Sequence, residues 1–85
     1  MSNYEVRFTK TASKDVDKLT PKLKTKLREI CVNTIGQNPY SGKKLVGDLD
    51  GFYSFSLTLK DRIVYTVDEN IKVVFIHRAK THYGD

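Results

Sequence analysis

The chain has 85 residues, which predicts one domain over residues 1–85 and excludes a second. A domain this small cannot enclose a ligand cavity beside its packed interior, so any working site should lie on its surface. Fifteen Lys and Arg residues against ten Asp and Glu residues give a net charge of +5, which favours a polyanionic partner, either nucleic acid or an acidic protein.

Several classes of protein are excluded by composition. The single cysteine, Cys31, cannot form an intramolecular disulfide, and its place in an apolar helical stripe predicts a core thiol. One cysteine and two separated histidines cannot fill a zinc site, so we expect no metal and no other cofactor. The sequence has no secretion signal and no apolar run of about 20 residues, the length of a membrane span. We therefore expect a cytoplasmic protein without a membrane anchor.

The first part of the chain predicts a strand followed by a short helix. Residues 4–8 alternate apolar and charged side chains, the period of a half-buried strand. Residues 11–19 carry apolar side chains at helical spacing, and Thr11 or Ser13 could cap this helix. A strand and then a helix thus open the chain.

A second helix follows almost at once. Thr20 followed by Pro21 is a typical helix start, and Gly36 is a typical helix end. One face between them is apolar, formed by Leu23, Leu27, Ile30, Cys31, Thr34 and Ile35. Two adjacent amphipathic helices predict a hairpin that packs on a flat surface.

The second half of the chain predicts a long loop and three strands. The loop, residues 37–50, contains Lys43 and Lys44, and long loops on small domains often carry function. Three strands joined by short turns, an antiparallel meander, are predicted over residues 52–59, 62–67 and 72–77. The expected fold class is α+β with the order β-α-α-β-β-β, two N-terminal helices packing on one face of an antiparallel sheet.

Strand alternation assigns side chains to the two faces of this sheet. The face under the helices should hold Tyr53, Phe55, Leu57, Ile63, Tyr65 and Val67. The open face should hold Ser54, Ser56, Arg62, Val64 and Thr66. Arg62 would then lie on a mostly uncharged surface, where its guanidinium requires an anionic partner. We expect His77 to lie on the packed face with a structural role.

Residues 51–65, Gly-Phe-Tyr-Ser-Phe-Ser-Leu-Thr-Leu-Lys-Asp-Arg-Ile-Val-Tyr, resemble the central hairpin of the RelE/ParE toxin superfamily. The match is closest to the YoeB/Txe branch, whose pattern includes His-Arg-Leu-(Val/Ile)-Tyr and which characteristically ends in His-Tyr. Here Asp61-Arg62-Ile-Val-Tyr65 and His82-Tyr83 correspond to those two segments. The resemblance extends over nearly the whole chain.

The resemblance implies the toxin of a type II toxin–antitoxin system, an endoribonuclease that cleaves mRNA on the ribosome without a metal. It implies that Arg62, His82 and Tyr83 are catalytic. Lys43 and Lys44 take the place of a glutamate that serves the YoeB branch as general base, and Ser56 takes the place of a strand cation. We therefore expect these three residues to contact the substrate. The implied partners are a cognate antitoxin, the ribosome and mRNA.

Two other functions remain open at this point. A ParE-type toxin poisons DNA gyrase and is not a nuclease, although such chains do not typically end in His-Tyr. A non-catalytic basic module could bind RNA or a protein through the open face of the sheet, and the missing glutamate is compatible with that alternative.

Overall fold

A computed structural model describes residues 3–81, with Thr81 described by its backbone alone. Within that range, two α-helices and one five-stranded sheet form the α+β arrangement predicted from the sequence. The helices are α1 (Lys10–Asp17) and α2 (Pro21–Ile30). The strands are β1 (Glu5–Phe8), β2 (Lys43–Lys44), β3 (Phe52–Ser56), β4 (Arg62–Asp68) and β5 (Val73–Thr81). Neither of these helices is long and apolar enough to cross a membrane.

The strand order across the sheet is β1-β5-β4-β3-β2. Strands β3, β4 and β5 form the predicted antiparallel meander. The sheet as a whole is mixed, because β1 pairs with β5 in parallel. Parallel pairing needs a long crossover, and the two helices are part of the connection that leads from β1 to the meander. The expectation of a purely antiparallel sheet is therefore corrected at β1.

A threonine side chain caps the N-terminus of each helix. Thr20 caps α2 as predicted, accepting the N–H of Leu23 at 3.3 Å. The cap of α1 is Thr9 and not Thr11 or Ser13, because Thr9 is the last extended residue after β1 and its side chain reaches the first turn of the helix. The helix therefore starts closer to β1 than the sequence pattern indicated.

The packed face of the sheet carries the side chains that alternation assigned to it. Leu57, Ile63 and Tyr65 are fully buried in the core, and Tyr53, Phe55 and Val67 pack against it. Cys31 lies in the same core, and burial raises the pKa of its thiol to about 11. The core thus joins the helices to β3, β4 and β5.

The opposite face is less open than predicted. Ser54 and Val64 lie outside the main core cluster, yet they are only 2% and 3% exposed. Both occupy central positions with a paired strand on each side. Arg62 and Thr66, two residues before and two residues after Val64 on β4, are partly exposed.

Strand β5 contains an irregularity that changes the place of His77. Ile76 pairs with Tyr65 and Arg78 pairs with Val64, so His77 is an extra residue in a bulge. Its Nε2 atom lies 2.9 Å from the hydroxyl of Thr66, on the open face. The expectation that His77 lies under the helices is wrong, because the fully buried Ile76 already faces the core and the next residue points away.

Candidate functional site

Arg62 is the first residue of β4 and lies between two neighbouring strands. Its register partners are Ser56 on β3 and Thr81 on β5. The guanidinium Nη1 atom is 3.4 Å from the hydroxyl of Ser56, a long contact and the only side-chain hydrogen bond of Arg62 within residues 3–81. The predicted placement of Arg62 and Ser56 on one face is thus present, and the two residues are also register partners.

The turn before Arg62 begins earlier than the sequence pattern predicted. The alternation extends to Leu59, but β3 ends at Ser56 and the side chain of Leu59 is fully exposed. The hydroxyl of Thr58 accepts the N–H groups of Lys60 and Asp61 at 3.1 and 2.9 Å, which closes a tight turn. This turn fixes the point at which β4 begins and so fixes the position of Arg62.

The guanidinium of Arg62 has no carboxylate partner among residues 3–81. The ion pairs of this part of the chain use Arg7, Lys72 and Arg78 as their cations. An arginine on a sheet surface without an ion pair can bind an external anion, and its planar fork suits a phosphate. Arg62 therefore has the chemistry expected of a phosphate-binding residue.

The two loop lysines form a short edge strand, which the sequence pattern did not indicate. Lys43 pairs with Ser54 and Lys44 pairs with Tyr53. Directly opposed residues share a face, so Lys43 lies on the face of Arg62, whereas Lys44 lies on the face of the helices. Both side chains are exposed. The structure thus brings one of the two predicted lysines to the same surface as Arg62.

The predicted pair His82 and Tyr83 lies outside the described residues. Strand β5 is longer than predicted and extends to Thr81, which is the register partner of Arg62. The two residues therefore follow in sequence directly after the backbone position beside Arg62.

An ion pair between a buried carboxylate and a partly exposed arginine attaches β5 to α1. The side chain of Asp15 belongs to a residue that is only 5% exposed. Its carboxylate accepts hydrogen bonds from Nε and Nη2 of Arg78 at 2.7 and 3.3 Å and from the backbone N–H of Ala79 at 3.1 Å. Burial alone would raise the pKa of Asp15, but the bonds from Arg78 and the backbone outweigh it and hold the pKa below its ordinary value. The pair fixes the part of β5 that leads to Thr81.

Sequence reasoning missed both this ion pair and the place of His77. Asp15 and Arg78 are far apart in sequence, and no local pattern relates them. A bulge in β5 determines how His77 and Arg78 are presented, and bulges leave no clear period in a sequence. Among residues 3–81, no group of three His, Cys, Asp or Glu side chains lies close enough together to hold a metal ion.

Known proteins share this sequence pattern and this fold. A family model described as the ParE-like toxin of type II bacterial toxin–antitoxin systems matches residues 6–83. The chain is 30% identical over 84 residues to the toxin RelE of Mycobacterium tuberculosis, covering 94% of this chain and 86% of that protein.

Solved structures of toxin–antitoxin complexes contain chains with the same fold. A chain of the RelBE2 toxin–antitoxin complex from Mycobacterium tuberculosis superimposes with a TM-score of 0.86 at 32% identity, covering 100% of this chain and 97% of that one. A chain of the heterotetrameric YoeB–YefM complex from Staphylococcus aureus has a TM-score of 0.77 at 28% identity, covering 94% of this chain and 98% of that one. The resemblance inferred from the hairpin and the His-Tyr pair is confirmed, and the chain belongs to the ParE-like toxin family of type II bacterial toxin–antitoxin systems, with RelE and YoeB toxins among its relatives.

Proposed function

We propose that this toxin is a ribosome-dependent mRNA endonuclease that acts in the cytoplasm and cleaves without a metal. The observation that carries the proposal is Arg62, placed on the open face of the sheet without a carboxylate partner among residues 3–81. Its register partner Thr81 leads directly to His82 and Tyr83 in the sequence. The proposed site thus combines a phosphate-binding cation with two side chains able to transfer protons.

The proposed reaction is an attack of a ribose 2′ oxygen on the adjacent phosphorus. The new O2′–P bond forms while the P–O5′ bond breaks, leaving a cyclic phosphate and a 5′-hydroxyl. A base takes the 2′ proton, an acid gives a proton to the leaving 5′ oxygen, and a cation stabilises the charge that grows on the phosphate. We assign the cation to Arg62, and the two proton transfers to His82 and Tyr83, since no glutamate base is found in the preceding loop.

A cognate antitoxin is the expected protein partner. The solved relatives include a RelBE2 complex and a YoeB–YefM complex. With a net charge of +5, this chain would attract an acidic segment electrostatically before contact. The same positive charge would favour its approach to ribosome-bound mRNA.

Mapping of mRNA 5′ ends in cells that express the chain tests the proposed function. We expect new ends at fixed positions within codons of translated messages, and far fewer of them in cells that express an Arg62→Ala variant. DNA breaks that require gyrase would instead support a ParE-type poison. Neither cuts nor breaks would support a non-catalytic binding module.

The two loop lysines should differ in their effect on cleavage. Lys43→Ala is expected to slow cleavage roughly 10-fold, less than the removal of Arg62, because it removes a more distant cation from the same face. Lys44→Ala, on the other face, should cleave nearly as fast as the parent. Single-turnover cleavage on programmed ribosomes measures both variants. If a variant that carries both Lys43→Ala and Lys44→Ala cleaved like the parent, neither lysine would contribute to phosphate stabilisation.

A further inference from the structure

The open face carries a group of rings along the strands from Arg62. Phe52 on β3 and Phe75 on β5 are both register partners of Thr66 on β4. His77 joins them on this face, and all four side chains are partly exposed. Thr66 is four residues along β4 from Arg62, a distance of about 13 Å in a strand.

The imidazole of His77 is held in one orientation. Its Nε2 atom lies 2.9 Å from the hydroxyl of Thr66, and its ring centroid lies 5.1 Å from that of Phe52 with the planes tilted by 59°. Burial lowers the pKa of His77, which favours the uncharged ring near neutral pH. The two rings therefore form a fixed aromatic surface and not a flexible pair of side chains.

The charges around these rings change sign along the face. Between Arg62 and the rings, the paired residues Ser54 and Val64 continue across the sheet to the exposed Lys43 on the edge strand β2. On the other side lie the carboxylates of Asp68 and Glu5, both aligned with Val73. Glu5 also forms an exposed ion pair with Arg7. Arg7, which is aligned with Phe75, offsets the charge of Glu5 and leaves that of Asp68, so a polyanion on this face is attracted at the Arg62 end and finds no net attraction beyond the rings.

We propose that His77 and Phe52, with Thr66 holding the imidazole, form a stacking platform for one unpaired base of single-stranded RNA whose cleaved phosphate is bound at Arg62. The proposal rests on the proposed function and adds to it a residue group that binds substrate away from the reacting bond. Unpaired bases stack readily on aromatic and histidine rings, and flanking cations hold the backbone. Arg62 and the two rings share one face of the sheet, which matches this pattern, whereas an acidic protein segment would not require the rings.

The direct test is the binding of a single-stranded RNA that carries 2′-O-methyl groups on every ribose and so cannot be cut. We expect His77→Ala to weaken binding about 5- to 100-fold, the usual effect of removing one stacked ring. His77→Phe should restore most of the affinity, since it keeps the ring and loses only the bond to Thr66. Fluorescence anisotropy at constant salt measures the dissociation constants.

Cleavage on programmed ribosomes gives a second measurement. A residue that only binds the substrate should raise KM for His77→Ala and leave kcat close to that of the parent. Phe52→Leu should show the same change, so the test does not depend on one variant folding. Tyr40→Ala is the matched control and should leave KM unchanged. It also removes an exposed aromatic ring, but that ring contacts Tyr53, a residue of the helix face.

The possible failures are distinguishable. If the parent cleaves mRNA but the His77→Ala and Phe52→Leu variants match it in RNA affinity and KM, the platform is wrong and the proposed function stands. If the two variants lose affinity for the co-expressed antitoxin and keep affinity for the RNA, the rings are a protein contact and the platform is again wrong. If the parent neither cuts mRNA nor binds the methylated RNA, the proposed function fails together with the platform.

Discussion

Arg62→Ala is expected to lower the rate of mRNA cleavage by roughly 100- to 1,000-fold, the usual effect of removing one group that stabilises transition-state charge. The loss should fall on kcat, because the negative charge on the phosphate oxygens grows as the new bond to phosphorus forms. Folding should be little affected, since the side chain of Arg62 is partly exposed and its one hydrogen bond to another side chain within residues 3–81 is the long one to Ser56. Single-turnover cleavage and thermal unfolding together measure the two effects.

Two further variants separate charge from shape at this position. Arg62→Lys keeps the positive charge but loses the planar pair of donors, so its activity should lie between those of the parent and the alanine variant. Arg28→Ala removes the same charge from an exposed position on α2 and should cleave like the parent. If Arg28→Ala and Arg62→Ala slowed cleavage equally, the effect would come from net charge and not from a site at Arg62.

Asp15→Ala is expected to have the largest effect on stability, lowering the free energy of unfolding by about 3 kcal/mol. The substitution leaves the N–H of Ala79 without its acceptor in a buried position and removes the carboxylate that pairs with Arg78. The melting temperature should fall by roughly 10–20 °C. Asp17→Ala on the same helix is the control and should change stability by less than about 0.5 kcal/mol, because Asp17 is exposed.

The stability from Asp15 should depend on pH in a defined direction. Its pKa is lower in the folded chain than in the unfolded chain, so its stabilising effect is fully present above the ordinary pKa of about 3.9 and is lost as pH falls through the folded value. The difference in unfolding free energy between the parent and Asp15→Asn should therefore be constant near neutral pH and shrink below about pH 4. Urea unfolding from pH 7 to pH 2 measures it, and a constant difference throughout would contradict the ion pair.

Local patterns were enough to predict much of the fold. The alternation of Tyr53 through Val67 assigned six side chains to the packed face, and each lies there because a strand with one buried face must follow a period of two. Thr20 and Pro21 marked the start of α2 because capping depends on adjacent residues. The same alternation placed Arg62 beside Ser56 on the opposite face.

The remaining features depend on contacts between residues that are distant in the sequence. Strand β2 has two residues and no period, so only its pairing with β3 separates Lys43 from Lys44. The bulge at His77 is a feature of the pairing of β5 with β4, and it lies next to Arg78, which pairs with Asp15 of α1. The parallel pairing of β1 with β5 follows from the path of the helices, which no strand pattern contains. These contacts supply the details of the site that the sequence pattern could not.

The position of β5 has a consequence for the synthesis of the toxin. Strand β5 lies between β1 and β4, although it is the last of the five strands to be made. Until it leaves the ribosomal exit tunnel, β1 has no partner strand and Arg62 has a neighbour on one side only. Contacts between distant parts of a chain also form slowly. Under the proposed function, the site around Arg62 is therefore incomplete while the chain is still being made, and an antitoxin made alongside it has time to bind before β5 docks.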